Sequence, residues 1–433
     1  MEKTKVGIVG LGTVGSGVAR LLLDHGDRTA RHAGRTLWLE KAVVRDLARP
    51  RGCEVPSGVM TDDLAEILND PEIKVVAQLI GGLEPARSVM LRLLEAGKDV
   101  VTANKALLAE HGPELFDRAR ELGRCIAFEA AVAGGVPIIT NVSQCFSANQ
   151  IHSLQGILNG TCNYIVSQMD LYGKSYGEAL AEAQTLGFAE ADSTMDVDGT
   201  DSAQKLAILA HLAFGARIRW EDIPRVGIDT LDIRDIEYAK ELGYRIKLIA
   251  NARLADEGLE LSVGPTLIRS GQPLAEVRAN YNAINVVGDA VGDVFFHGQG
   301  AGQMPTASAV VADMIDTAVG RQPITFKTLE LWSNRESRVT LRPNDELPGR
   351  FYMRFHVEDV PGVMAQVTSI LGEEELSIAS VIQHEADPNE PQAKVQLVIM
   401  THEAPEAAAS RAAQKISDLP IVSGNSVRMR VME

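Results

Sequence analysis

The sequence predicts an α/β chain: a doubly wound parallel sheet first, then an α+β region with a mixed sheet, then a compact βαββαβ module at the C-terminal end. Three observations carry this. An apolar strand, Val6 to Val9, runs into Gly10-Leu11-Gly12-Thr13-Val14-Gly15 and then into helix-period sequence through Leu23. Short apolar strands alternate with helix-length segments as far as Glu129, the pattern of a parallel sheet covered on both faces. After Phe351 the order of apolar runs becomes strand, helix, strand, strand, helix, strand, which is the ferredoxin-like plan.

The first glycine run has the context that gives such a run meaning, because it follows a strand and opens a helix. Gly10 permits the tight turn, Gly12 lets backbone approach a pyrophosphate, and Gly15 lets the helix pack on the strand. The helix N-terminus then presents N–H groups to phosphate. The reading is a Rossmann-type dinucleotide-binding domain; the bland alternative is a glycine-rich turn with no ligand. The polar stretch HGDRTARHAGRT that follows is expected to be a surface loop. The second strand, Trp38 to Val44, ends in Arg45-Asp46, with Arg49 and Arg51 close behind. A guanidinium at Arg45 can fork onto a 2′-phosphate, whereas Asp46 could accept from a 2′-hydroxyl. NADP(H) is therefore favoured, with NAD(H) the alternative. Further strands end at Gly81-Gly82, at Ala103-Asn104-Lys105 and at Glu129. Ligands on such sheets bind beyond the carboxyl ends of the strands, so these positions should converge, which is the reason to treat Lys105 as functional rather than merely solvated.

A second region opens near Ile139. It contains a strand from Ile151 to Leu158, then Asn159-Gly160-Thr161, a helix through Met169, and an acidic run from Glu190 to Lys205. Asp201 and Lys205 in that run are four apart and would share one helical face. A carboxylate-backed lysine can exchange a proton with a substrate oxygen. Taken alone, the segment reads more simply as a solvated acidic turn with an ordinary ion pair. Strands from Tyr244 to Ala252 and from Leu259 to Pro265 suggest an antiparallel or mixed sheet. The glycine-rich stretch Phe296 to Gly302 is expected as a loop leading into a helix from about Thr306 to Val319. Its N–H groups could meet a phosphate or the nicotinamide end, or it could simply join two domains. The expected divisions are 1–138, completed by a helix at about 303–320; 139–320 for catalysis and dimerisation; a linker over 321–350; and 351–433.

With 433 residues, 45% of them apolar, the chain can build several cores. A net charge of −16 argues against nucleic acid or anionic membrane partners. No apolar run approaches membrane-spanning length. The chain begins in a strand without a charged-then-apolar leader, so a cytoplasmic location is expected. Cys53, Cys125, Cys145 and Cys162 lack C-x-x-C spacing and fit free thiols in a reducing compartment.

The assembled motifs resemble the homoserine dehydrogenase family, in its bacterial monofunctional form with a C-terminal ACT domain. They are GLGTVG at Gly10, VRD at Val44, IGG at Ile80, TANK at Thr102, EAAVAGGVP at Glu129, LNGTCNYI at Leu158, GFAEADSTMDVDGTDSAQK at Gly187 and GAGQMPTASAV at Gly300. The resemblance spans essentially the whole chain. It implies reversible NAD(P)H-dependent reduction of L-aspartate 4-semialdehyde to L-homoserine, on the route to threonine, methionine and isoleucine. It casts Lys205 as the proton donor, Asp201 as its orienting acid and Lys105 as a second active-site lysine that contacts cofactor as well as substrate. Glu190, Asp196, Gly160 and Thr161 become substrate contacts, and Leu11, Thr13, Val14 and Gly302 join the glycines and Arg45 at the cofactor. Phe188 stands where many relatives carry Tyr, so that hydroxyl is missing here. The family also implies a monovalent cation, usually sodium, at Glu129, Val132, Gly134 and Val136. Sequence alone leaves open whether Glu129 does this or merely caps a turn before Pro137. The ACT domain implies an amino-acid effector such as threonine, docking near Asp359, Pro361 and Gly362; a purely oligomerising role, as homodimer or homotetramer, is the alternative. The rival functions are a related amino-acid-linked dehydrogenase and a non-catalytic dinucleotide sensor.

Overall fold

Strands form where β-branched and other apolar residues run together between glycine- or proline-marked turns. In chain order they are β1 (Lys3–Val9), β2 (Thr36–Val43), β3 (Met60–Thr61), β4 (Ile73–Gln78), β5 (Asp99–Thr102), β6 (Ile126–Ala127), β7 (Ile151–Ile157) and β8 (Tyr244–Ala255). They continue with β9 (Gly258–Arg269), β10 (Tyr281–Gly288), β11 (Gly292–Gln299), β12 (Pro348–Glu358), β13 (Ile378–Gln383), β14 (Lys394–Thr401), β15 (Ala404–Pro405) and β16 (Val427–Met432). The computed structural model describes residues 2–329, 331–332, 337, 339–385 and 394–432. The chain divides into two compact units, one of Met1–His152, Gln204–Asp222 and Asn282–Val339, the other of Ser153–Ala203, Ile223–Tyr281 and Thr340–Glu433.

The first unit holds the parallel sheet, in the order β3-β2-β1-β4-β5-β6, with every adjacent pair parallel. This is the dinucleotide-fold order, with its crossover beside β1. Its core joins Val6, Ile8 and Val75 to Ala307, Val310 and Met314. The last three come from helix Gln303–Ala318, more than two hundred residues further along the chain. Two local expectations are corrected. The stretch after the first helix is not a surface loop but a helix, Gly26–Ala33, with Thr29, Ala30 and Ala33 buried and Gly34 closing it in the left-handed region at φ 66°. Small residues at helical spacing and a glycine C-cap outweigh its polar composition. Likewise, β11 runs through Phe296 to Gln299, so only Gly300–Gly302 is left as a turn before the helix. Within the segment expected as a linker, Arg321–Leu329 is helical.

In the second unit, β8 and β9 pair antiparallel from Tyr244↔Arg269 to Ala255↔Gly258, and β7 pairs antiparallel with β8. Helix Gly160–Tyr172 is buried along most of its length. A helix absent from the sequence reading, Tyr176–Thr185, starts at a capping box formed by Ser175 and Glu178. The C-terminal module has the order β16-β12-β14-β13, antiparallel throughout. It has its own core of Phe351, Phe355, Val367, Leu397 and Ile416, as the ferredoxin-like plan requires. It does not stand alone. β16 pairs parallel with β9 through Arg430↔Thr266, Val431↔Leu267 and Met432↔Ile268. A buried ion pair reinforces the junction: Arg354 donates from Nε at 2.6 Å and from its second terminal nitrogen at 2.9 Å to the two oxygens of Asp235. The Tyr352 hydroxyl adds a bond of 3.0 Å to the same carboxylate.

Candidate active site

β1 hands the chain to Gly10, whose φ of 99° lies in the left-handed region. A Cβ there would stand 3.0 Å from the Leu79 carbonyl oxygen. Its N–H donates to the Val43 carbonyl at 2.9 Å, so the turn is tied to both neighbouring strands. At Gly15 a Cβ would lie 1.9 Å from the Gly10 oxygen, which only glycine avoids. A Cβ on Gly12, by contrast, would meet nothing within 4 Å. Helix Thr13–Asp24 begins there with no side-chain cap and no acid in its first turn. Its first N–H groups and positive dipole end are therefore offered to an anion that can approach closely. Leu11 and Gly15 are buried, Val14 is half-buried, and Gly12 and Thr13 are exposed at the mouth of the turn.

Arg45 is exposed just past β2. Arg51, not singled out from sequence as a site residue, bridges two segments: it donates to the Leu11 carbonyl at 3.3 Å and to the Asp46 carbonyl. The Asp46 carboxylate accepts the Ala48 N–H at 2.9 Å. Gln303, directly after the exposed Gly302, donates its amide to the Thr13 carbonyl at 3.1 Å. The glycine turn, the β2 end and the start of helix Gln303–Ala318 thus come together.

The strand ends converge through Asn104. Its amide nitrogen donates to the Ile80 and Gly82 carbonyls at 3.1 and 2.7 Å, while its amide oxygen caps helix Lys105–Glu121 by accepting from Leu107 N at 3.0 Å. Lys105 is the half-buried first residue of that helix. Glu129, 5% exposed, follows β6. Its carboxylate accepts the N–H groups of Ile139 and Thr140 at 2.9 and 2.8 Å and the Thr140 hydroxyl at 2.5 Å. Burial pushes its pKa up against the pull of those bonds. The buried Asp313 accepts from Glu129 N–H at 2.8 Å; burial, then the Glu129 charge, raise its pKa strongly. A cavity of about 20 Å³, the size of one water, is lined by Glu129, Thr140 and Asp313. Val132, Gly134 and Val136 lie buried on a loop bent by two left-handed residues, Ala133 at φ 54° and Gly134 at φ 42°. Three donors leave the Glu129 carboxylate a remaining lone pair. Among the described residues no group of three or more His, Cys, Asp and Glu could hold a metal, so an ion here would depend on Glu129 and carbonyl oxygens, the donor set of a hard cation.

In the second unit the decisive residue is Asn159, 4% exposed. Its one amide nitrogen donates to Asp196 at 2.7 Å and to Asp201 at 2.8 Å. Its oxygen accepts Cys162 N–H at 2.8 Å and caps helix Gly160–Tyr172. Two acids of the candidate substrate segment are thereby clamped to the residue that precedes Gly160 and Thr161. The Thr161 hydroxyl donates to the Phe188 carbonyl at 2.6 Å, so the backbone at 188 is used although its side chain has no hydroxyl. Glu190 is exposed. Asp201 and Lys205 lie four apart in the first turns of helix Thr200–Phe214, with Asp201 buried and Lys205 half-buried.

Family profiles match the chain in three consecutive parts: "Homoserine dehydrogenase, NAD binding domain" over residues 10–129, "Homoserine dehydrogenase" over 137–315 and "ACT domain" over 351–420. A homoserine dehydrogenase of Pseudomonas aeruginosa is 43% identical over 100% of this chain and 99% of its own length. The chain belongs to the homoserine dehydrogenase family. The crystal structure of a homoserine dehydrogenase from Thiobacillus denitrificans superposes with a TM-score of 0.90 at 39% identity, covering 100% of this chain and 99% of that one. A hyperthermophilic archaeal homoserine dehydrogenase in complex with NADPH has a TM-score of 0.60 at 25% identity, covering 73% of this chain and 98% of its own. Membership makes this chain an oxidoreductase with an NAD(P)-binding domain and an ACT module. Among the described residues no helix is long and apolar enough to cross a membrane.

Sequence reasoning placed Asn104 among the converging strand ends without its capping role, and missed Asn159, Arg51 and Asp313 as parts of the candidate site. For the two asparagines a signal existed: each stands immediately before a helix, in the position where Asn is a preferred cap. For Arg51 and Asp313 there was none, since their partners lie 40 and 184 residues away.

Proposed function

We propose that this chain catalyses the reversible NAD(P)H-dependent reduction of L-aspartate 4-semialdehyde to L-homoserine. When bound, the nicotinamide supplies the hydride to the aldehyde carbon or accepts it from the alcohol. The Lys205 ammonium gives its proton to the oxygen that gains negative charge, yielding the homoserine hydroxyl; in reverse, neutral Lys205 takes that proton back. A cation beside that oxygen stabilises charge that develops only in the transition state, so it lowers the barrier rather than merely tightening binding. Asp201 orients Lys205 along the helix they share. Glu190 and Asp196 hold the substrate ammonium, Gly160 and Thr161 supply further contacts, and Lys105 adds a second positive charge. The observation that carries this reading is the Asn159 clamp, which spends one amide on two carboxylates at the base of the helix bearing Lys205. An amide placed so gives both carboxylates one shared donor and fixes them relative to each other.

NADP(H) is the preferred cofactor in this reading, with Arg45 facing the 2′-phosphate and Gly10 to Gly15 and Gly302 around the pyrophosphate. A monovalent cation, sodium, would be held by the Glu129 carboxylate and the carbonyls of Val132, Gly134 and Val136, steadying the loop before Pro137. The ACT module takes an amino-acid effector, threonine being the first to test, and the protein works as a cytoplasmic homodimer or homotetramer.

The test is nicotinamide absorbance with L-homoserine and each cofactor, repeated for Lys205→Ala. Turnover should fall by about 10²- to 10⁴-fold in both directions, the usual contribution of a positioned proton donor, with cofactor affinity retained. Full turnover by Lys205→Ala would refute its role, and no oxidation of homoserine with either cofactor would refute the reaction.

A further inference from the structure

The seam along which β16 pairs with β9 carries a cavity of about 310 Å³. Its polar lining includes Arg225, Arg428, Arg430, Glu406, Thr266 and Asn344. Arg428 and Arg430 are two apart on β16 and so project from one face. Both donate to the single carboxylate of Glu406, itself 7% exposed, and both lie over the Phe351 ring, 5.3 and 5.6 Å from its centroid. One carboxylate and one ring therefore hold two guanidiniums in fixed positions. Each guanidinium has five donors, so one shared carboxylate leaves donors over, and the charge stays positive.

Pro224, Arg225 and Val226 also line the cavity and open the loop Pro224–Ile228. Val226 N–H donates to the Val263 carbonyl and Val263 N–H to the Pro224 carbonyl, each at 2.9 Å, which fixes the loop to β9. Ile228 N–H then donates to the Val197 carbonyl at 2.8 Å. A Cβ on Gly227 would stand 2.4 Å from that same Val197 oxygen, so the two backbones are in direct contact. Val197 follows Asp196, and Gly199, at φ 86°, is the bend before the helix that carries Asp201.

We propose that this cavity binds a small carboxylate of amino-acid size through Arg225, Arg428 and Arg430, and that occupancy moves the Pro224–Ile228 loop and with it the Asp196–Asp201 pair. This site is distinct from the turn at Asp359–Gly362. It rests on the proposed function only for its effect on rate; binding itself is independent of turnover. The test is calorimetric titration of the full-length protein with L-threonine, and with succinate as a second carboxylate, on wild type, Arg430→Gln, Arg225→Gln and Asp359→Asn. Affinity should fall at least about tenfold in each arginine variant, as expected for a lost charge-assisted contact, and stay unchanged in Asp359→Asn. Arg225 is exposed on its loop, so its variant reads the site even if Arg430→Gln fails to fold. In the homoserine assay the binding probe should alter KM or kcat in wild type and lose that effect in Arg225→Gln. Absence of binding by both probes, or binding abolished by Asp359→Asn and indifferent to the arginines, overturns the site. Binding without any change in rate overturns the coupling.

Discussion

Replacing Asn159 by Asp tests the clamp with almost no change of shape. The amide nitrogen that donates to Asp196 at 2.7 Å and Asp201 at 2.8 Å becomes an oxygen, while the oxygen that accepts Cys162 N–H at 2.8 Å is kept, so the helix cap survives. Two hydrogen bonds to charged groups are lost, each contributing about 1.5–3 kcal/mol. In their place three carboxyl groups meet; at about 4 Å and an effective dielectric near 20, each ionised pair repels by on the order of 4 kcal/mol. The cluster must hold a proton, so a carboxyl pKa rises above its unfolded value. Stability and geometry in the variant are then lost as pH climbs through that raised pKa and recovered below it, where an O–H again serves as donor. Of the lost energy, about 3–4 kcal/mol falling on the transition state would lower kcat/KM by about 10²- to 10³-fold near pH 8. At lower pH the deficit should shrink, as the proton restores one of the two donors. The assay is the pH profile of kcat/KM for homoserine oxidation, with urea unfolding in parallel at each pH. A variant that tracks wild type within about threefold throughout, a gap under 1 kcal/mol, would show that the clamp does not position the acids.

Gly12→Ala and Gly15→Ala should separate. The first has open space around its Cβ and should keep its urea midpoint while KM for the cofactor rises; the second would put a Cβ 1.9 Å from the Gly10 oxygen and should lose at least about 1–3 kcal/mol of stability. Lys247, 3% exposed and bonded to Asn163 Oδ1 at 3.1 Å, has its pKa lowered by burial from 10.5 to about 8. Between those values the unfolded chain binds the extra proton, so wild-type stability should gain on the order of 3 kcal/mol as pH rises through the window. Urea titrations of Lys247→Met should lack that increment, and an unchanged slope would refute the assignment. Arg354→Met leaves Asp235 buried with, among the described residues, Tyr352 and the Asp232 N–H as donors, and should cost about 3–5 kcal/mol by thermal or urea unfolding.

Much of the architecture was legible because it is written in short-range patterns. The glycine turn, the alternation of strands and helices and the six elements of the C-terminal module each follow from residues within a turn or two of one another. Composition misleads where spacing decides the structure: Gly26–Ala33 is polar overall, yet its few small residues fall on one face. The acidic run from Glu190 to Lys205 was visible as chemistry, but nothing in it announces which acids are held together.

The sequence by itself determined the secondary structure around each functional segment and the kind of chemistry those segments carry, because periodicity, glycine torsions and helix caps act locally. Only the tertiary structure decided that Asn159 joins Asp196 to Asp201, that Arg51 reaches back to Leu11, and that β16 zips onto β9. These are hydrogen bonds across long stretches of chain, and an amide, a guanidinium or a strand edge will accept any suitably placed partner. Which partner it meets is settled by packing of the whole fold, not by its neighbours in sequence.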